Sequence, residues 1–434
     1  MIQRVVIIGN GVAGITAARH VRKLSDHEIT VISAESEYFF SRTALMYIYM
    51  GHMTFDHTKP YEDWFWKKNR IELVQDYVED VVVEKKQVRL AGGNTVNYDS
   101  LVIASGSSYN VFDWPGKDLA GVQGLYSIQD LERMEQNTKG IEKAVIVGGG
   151  LIGVEMAEML QSRDIAVTML ARETHFWDNA LPRREAILVG NHIRSHHVDL
   201  RLSTELKEIV GDNTGKVTAV ITDKGEKIDC QFVGLTAGVH PNITFLKESA
   251  VETKRGVLVD QYLKTNIPDV YAIGDCVEHR SPPPGRNPIE QVWYTGRQMG
   301  EAVAHTICGN LTRYSPGFWF NSAKFFNLEY QTYGKVSNQL EEGEEEYYWE
   351  HTDHKKCMHL VFARADNKFL GINVLGIRMR HQVFDRWLRE ERDIYHVVKH
   401  LEEANFDPEF FTRHEREIRE GFYRDFPEDG KGKE

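Results

Sequence analysis

One pattern constrains the fold of this chain more than any other: a strand, a glycine-rich turn and a helix, written twice. The first copy runs Val5-Val6-Ile7-Ile8, then Gly9-Asn10-Gly11-Val12-Ala13-Gly14, then an apolar helix through Ile15, Ala18 and Val21, then the strand Ile29-Thr30-Val31-Ile32. The second begins 139 residues later: Ala144-Val145-Ile146-Val147, Gly148-Gly149-Gly150-Leu151-Ile152-Gly153, a helix from Val154 to Leu160, and a strand from Ile165 to Leu170. In a βαβ unit of this kind the first glycine permits the tight turn, the second lets a pyrophosphate approach the backbone, and the third lets the helix lie close on the strand. The phosphates then meet the N–H groups of the helix N-terminus. Each copy is therefore a dinucleotide-binding candidate. Gly9, Gly11, Val12, Ala13 and Gly14 line the first turn, and Gly148, Gly150, Leu151, Ile152 and Gly153 the second. Glu35 lies 21 residues past Gly14, at the end of a strand, where an acid accepts both ribose hydroxyls of an adenosine. Its alternative is a solvated loop charge.

Other classes of chain are excluded by simple counts. At roughly 150 residues per domain, 434 residues allow about three domains. A net charge of −12, from 64 acidic against 52 basic residues, lacks the attraction that nucleic-acid binding needs. The opening apolar run Val5–Ile8 is too short for a signal-peptide core, and nowhere do about 18 apolar residues run together, so no membrane span and a cytoplasmic location are expected. Cys230, Cys276, Cys308 and Cys357 lie far apart, with no dithiol or zinc spacing. The adjacent pair His196-His197 would point apart on a strand or a helix, so no metal site is expected.

Between the copies, Tyr98 to Gly106 reads as a core strand ending in the small residues Ser105 and Gly106. Phe232 to Gly238 ends similarly. After residue 316 the grammar changes to α+β, with an acidic turn from Glu341 to Glu346, strands at Met358–Phe362 and Phe369–Gly376, and then helices. Arg378, Arg380, Arg386, Arg389 and Arg392, interspersed with Phe384 and Trp387, have the spacing of an amphipathic helix. Its cationic face is either solvated or a docking patch for an acidic redox protein. The charged segment from Arg413 ends in Gly430-Lys431-Gly432-Lys433-Glu434, whose last residues are expected to be mobile.

The most specific string is Thr265-Asn266-Ile267-Pro268-Asp269-Val270-Tyr271-Ala272-Ile273-Gly274-Asp275. It resembles the second flavin motif of the FAD-dependent pyridine nucleotide-disulfide oxidoreductase superfamily. The resemblance implies an α/β fold of two doubly wound Rossmann-like domains, the second inserted in the first, and a C-terminal α+β domain. The implied segments are 1–112 and 244–315 for FAD, 113–243 for NAD(P), and 316–434 for a C-terminal interface domain. It also implies that Asp275 holds the ribityl chain, and it adds Val78, Ser105, Gly106, Gly238, Val292 and Trp293 as cofactor-binding candidates. The stretch Ile289 to Gln298 resembles the helix whose N-terminal amides face the flavin's pyrimidine edge, where they would favour negative charge. Trp293 is either stacked near the ring or core. Phe318-Trp319-Phe320-Asn321-Ser322 resembles a turn that closes the flavin's face.

Where dithiol and single-cysteine members carry their thiol, this chain reads Tyr38-Phe39-Phe40-Ser41-Arg42-Thr43-Ala44-Leu45-Met46-Tyr47, with no sulfur nucleophile. Thiolate chemistry therefore lacks its attacking group. The Ser-Arg-x-x-Leu pattern is similar to the ferredoxin and rubredoxin reductases and the flavin domain of nitrite reductases, which implies that Arg42 lies near the FAD pyrophosphate. That branch pairs a lysine with a glutamate near the flavin. The glutamate is Glu155, but Tyr47 holds the lysine's position, and a carboxylate without its cation is harder to keep ionised when buried. Glu155 and Tyr47 are the catalytic candidates.

In the second unit Ala171 stands where NADH-binding acids typically sit, and Arg172 follows, 19 residues past Gly153. Guanidinium pairs bidentately with phosphate, so this favours NADPH over NADH. The implied activity is hydride transfer from NAD(P)H to FAD and electron delivery to an external acceptor. The first reading is a reductase of a small ferredoxin- or rubredoxin-type protein. The alternatives are an NAD(P)H oxidase or quinone reductase, and an NAD(P)H-sensing interaction protein resembling apoptosis-inducing factor. A monomer or homodimer is expected.

Overall fold

The computed structural model describes residues 2–427 apart from 407, 408, 410 and 411. The expected mobility of Gly430 to Glu434 falls outside the described residues. Contacts gather the chain into two compact units: residues 1–148, 156–167 and 206–316 in the first, and 149–155, 168–205 and 317–434 in the second.

The first unit is built on a five-stranded parallel sheet in the order Val270–Ala272, Ser100–Ile103, Arg4–Ile8, Glu28–Ser33 and Ile71–Gln75. Its central strands are near-continuous apolar runs because both faces are covered; Val5, Ile7, Leu101, Val102 and Ile103 are fully buried. Ile8 pairs with Ile32 on one side and Ile103 on the other. The central strands therefore end level, and the first glycine turn emerges where the strand order reverses, which is where such sheets bind ligands. The helix Val12–Leu24 lies against the long helix Trp293–Ile307. A Cβ on Gly300 would stand 2.5 Å from the Ala13 carbonyl oxygen, so glycine is what lets the two backbones approach this closely. The same unit holds a second parallel set, Val122–Gln123, Phe232–Leu235 and Lys143–Val147 in that order, and an antiparallel sheet over Leu206–Gly211, Val217–Thr222 and Lys227–Asp229.

In the second unit Thr168–Leu170 pairs in parallel with Asp199–Arg201. An antiparallel sheet follows in the order Phe320–Phe325, Leu328–Gly334, Phe369–Leu375, Cys357–Ala363 and Glu344–Glu350. Its core takes Phe384 and Trp387 from the helix His381–Arg389, and Ile418 and Phe422 from the helix Glu415–Asp425. The chain is thus α/β, with Rossmann-like parallel sheets and a C-terminal α+β part.

Two local expectations need correction. The acidic run is not all turn: Glu344 to Glu346 begin a strand, and Glu344 is buried, with Lys335 Nζ 2.9 Å from its carboxylate. The arginine-rich stretch is helical only over His381–Arg389, and four of its five arginines are already matched. Arg378 pairs with Glu329, Arg386 with Glu403, Arg389 with Asp385 and Arg392 with Glu390. That is a solvated, compensated face.

Candidate functional site

The three glycines of the first turn have three distinct environments. Gly9 has φ +110°, and a Cβ there would stand 2.1 Å from the Ala104 carbonyl oxygen. A Cβ on Gly14 would meet the Gly9 carbonyl oxygen, also at 2.1 Å. Gly11 faces open space, with nothing within 4 Å of where its Cβ would be. The turn is therefore locked at its ends and open in the middle, where a phosphate needs the backbone bare. Gly11 caps the helix Val12–Leu24 without a side-chain hydrogen bond, and no acid sits in the first turn to compete with an anion.

The second turn repeats this. Gly148 has φ +131°, and a Cβ there would lie 2.5 Å from the Thr236 carbonyl oxygen, while Gly150 has nothing within 4 Å. Both turns therefore fit a dinucleotide pyrophosphate.

Around the first turn the structure gathers most of the expected residues of its unit. Gly274, at φ +76°, places its missing Cβ 2.9 Å from Ala13, and Gly296 packs against the same alanine. Asp275 and the start of the helix Trp293–Ile307 therefore converge on the turn. Ser107 Oγ donates to Asp275 at 3.2 Å and accepts from Gln291 Nε2 at 2.8 Å. Burial pushes the Asp275 carboxyl above its ordinary value, against the pull of the Ser107 hydrogen bond and Arg42. Trp293 is 40% exposed, which removes the core alternative, and Val292 is the residue before its helix. Ser105 Oγ donates to the Asn242 carbonyl at 2.7 Å, and Gly106, at φ +72°, sits beside the Tyr126 hydroxyl. Gly238, at φ +84°, accepts from the Asn110 backbone, while Val78 is buried in the core.

Glu35 and Arg42 form a bidentate pair: Arg42 Nη1 donates to Glu35 Oε1 at 2.8 Å and Nη2 to Oε2 at 2.5 Å. The Ile128 amide also donates to Glu35, at 2.9 Å, and Arg42 donates to the Tyr126 carbonyl at 2.6 Å. Burial alone would lower the guanidinium's pKa, but the Glu35 hydrogen bond and charge outweigh it and hold Arg42 above its ordinary value. The carboxylate and guanidinium expected at ribose and pyrophosphate are thus held side by side.

Tyr47 lies on the short helix Leu45–Tyr49 and stacks on His52 at 6.1 Å. Glu155, on the helix Leu151–Gln161, is half-buried, and both residues engage neighbours. Arg172 is 75% exposed, and its Nε lies 3.1 Å from Glu173 Oε1. Sequence reading missed Glu173. A Cβ on Gly149 would stand 2.7 Å from Ala171 Cβ and 3.4 Å from Glu173 Oε2, so this acid faces the second glycine turn. The signal was present, two residues beyond the position usually inspected.

The cysteines complete the chemistry. Cys230, Cys276 and Cys357 are buried, Cys308 partly so, and burial raises all four thiols, Cys276 to about 11. None is a thiolate at neutral pH.

Two glycine turns, an acidic flavin motif and no activated sulfur define a flavoprotein that binds two dinucleotides without thiol chemistry. Residues 3–300 match the pyridine nucleotide-disulphide oxidoreductase family, and the chain belongs to it. The assimilatory nitrate reductase electron transfer subunit of Bacillus subtilis (strain 168) is 26% identical over 92% of this chain and 51% of its own length. This chain therefore spans about half of that relative. A ferredoxin–NAD(P)(+) reductase of Sphingomonas sp is 31% identical over 76% of this chain and 80% of its own. The structure of an NAD-dependent persulfide reductase from A. fulgidus superposes with a TM-score of 0.81 at 24% identity, covering 91% of this chain and 78% of that one. No helix among the described residues is long and apolar enough to cross a membrane.

Proposed function

We propose that this protein is a reductase that takes electrons from NAD(P)H and delivers them to a small redox protein of ferredoxin or rubredoxin type. FAD, when bound, accepts hydride from the nicotinamide and can release its electrons one at a time. The protein's part is positioning and tuning. Residues 1–112 and 244–315 would hold FAD, 113–243 the nicotinamide nucleotide, and 316–434 would form the interface domain. The amides after Gly11 would hold the FAD pyrophosphate with Arg42 beside them, Glu35 the ribose hydroxyls, and Asp275 the ribityl chain. The amides after Val292 would face the flavin's pyrimidine edge, with Trp293 alongside. Glu155 and Tyr47 would be the catalytic residues, at the sequence positions of that branch's Glu–Lys pair.

The observation that carries this reading is the pairing of two open glycine turns with four un-ionised thiols, three of them buried. Electrons have no protein disulfide to visit, so the acceptor must be external. The relative named as an electron transfer subunit and the one named as a ferredoxin reductase support a protein acceptor. Anaerobic stopped-flow reduction with NADH and NADPH, followed by mixing with ferredoxin, rubredoxin, quinone or oxygen, tests it. Rapid bleaching and reoxidation by a redox protein are expected. Failure of both nucleotides to bleach the flavin, or reoxidation only by small molecules, overturns the assignment.

Nucleotide choice rests on the pair Arg172 and Glu173. Arg172 favours the 2′-phosphate of NADPH, whereas Glu173 beside Gly149 would repel it and could accept ribose hydroxyls from NADH. Use of both nucleotides follows. Glu173→Gln should raise kcat/KM for NADPH about tenfold relative to NADH, a change of ~1.4 kcal/mol. Arg172→Ala should shift the ratio the other way, and a ratio indifferent to both substitutions refutes the assignment.

A further inference from the structure

The helices Val12–Leu24 and Trp293–Ile307 bring together His20, Glu301 and His305, whose ligand atoms all lie within 4.8 Å of one another. We propose that these three side chains form a divalent transition-metal site that clips the two helices together. Glu301 and His305 stand four residues apart on one helix and so share a face. His20 comes from the other helix, and the Gly300 contact with Ala13, Thr16 and Ala17 fixes how near the two backbones lie. Placement of the third ligand is therefore set by helix–helix packing rather than by a loop.

The chemistry selects the ion. Two imidazoles and one carboxylate suit zinc and its neighbours, whereas magnesium and calcium require oxygen shells. Around a tetrahedral zinc with bonds of about 2.1 Å, neighbouring ligand atoms stand about 3.4 Å apart. Small side-chain rotations close the present spacing to that value. Glu301 is exposed, leaving the fourth position open to water. Among the described residues no hydrogen bond or ion pair occupies any of the three side chains, so no existing partner has to be displaced. Arg19 and Lys23 both bear on His20 electrostatically, and the Arg19 guanidinium sits over the Tyr61 ring, 4.7 Å from its centre.

The test uses the full-length, FAD-loaded protein and zinc alone, by equilibrium dialysis and by thermal unfolding with and without zinc. One zinc per chain is expected, with zinc raising Tm. His20→Gln and His305→Gln, on protein with unchanged flavin content, should each weaken binding at least about 100-fold and abolish the Tm rise. The pair His396 and His400, with ring centres 4.2 Å apart, is the competing dihistidine site. The double variant His396→Gln/His400→Gln should bind zinc as before. Absence of stoichiometric binding, or binding lost with the second pair and kept without the first, overturns the proposal.

Discussion

His359 is the residue whose surroundings most oppose its solvent-exposed chemistry. It is 3% exposed, with Nδ1 2.6 Å from Glu185 Oε1 and Nε2 2.8 Å from Glu346 Oε2, while Asn373 donates to the other Glu185 oxygen at 2.8 Å. Burial by itself would discharge the ring, but hydrogen bonds to the two carboxylates outweigh it and raise its pKa to about 9. The folded pKa thus lies above the unfolded value of about 6.5. The resulting stabilisation is complete below about 6.5 and is lost as pH rises through about 9. His359→Gln leaves the fully buried Glu185 without its cation, which costs about 3–5 kcal/mol. Urea unfolding from pH 6 to 10 should show wild-type stability falling over that window, and the variant, lower throughout, should lack this component. A parallel decline in both proteins would remove His359 as its source. No pattern in the sequence pointed here, because the partners lie on two strands and a helix separated by much of the chain.

At the scale of the element, the glycine turn separates folding from binding. Gly14→Ala puts a methyl group against the Gly9 carbonyl, an overpacking worth about 1–3 kcal/mol of stability. Gly11 has φ −68°, a conformation any residue adopts, and open space around it. Gly11→Ala should therefore fold with an unchanged Tm in the apoprotein yet lose FAD affinity about tenfold or more, ~1.4 kcal/mol, read as flavin retained after gel filtration. Equal loss of apoprotein stability in both variants would show that Gly11 is structural. This element was legible in the sequence because a turn of this kind imposes its residue types locally, at fixed offsets, beside strands buried on both faces. Asp275 was singled out through the resemblance of its motif to a flavin-binding one rather than through turn chemistry. Glu173 was not, since its approach to Gly149 depends on how the chain bends after Leu170. The cluster of His20, Glu301 and His305 depends on a helix–helix seam, which no local spacing encodes.

At the scale of the whole molecule, charge decides how an acceptor would arrive. The chain carries −12 overall, and four of the five arginines around the helix His381–Arg389 are matched by Glu329, Glu403, Asp385 and Glu390. A small iron–sulfur protein is itself commonly acidic, so the two net charges repel and the compensated arginines offer no steering field. Association should then proceed at a modest, unsteered rate, about 10⁵–10⁶ M⁻¹s⁻¹. Added salt shortens the Debye length from about 30 Å at 0.01 M to about 10 Å at 0.1 M, which screens repulsion as readily as attraction. Electron delivery to an acidic acceptor should accordingly hold steady or quicken as ionic strength rises over this range. A steep fall would instead mean that some cationic surface overcomes the global charge. Paired charge reversals, Arg386→Glu and Arg389→Glu, would then identify whether this helix supplies it: if so the fall with salt disappears, and if not it persists.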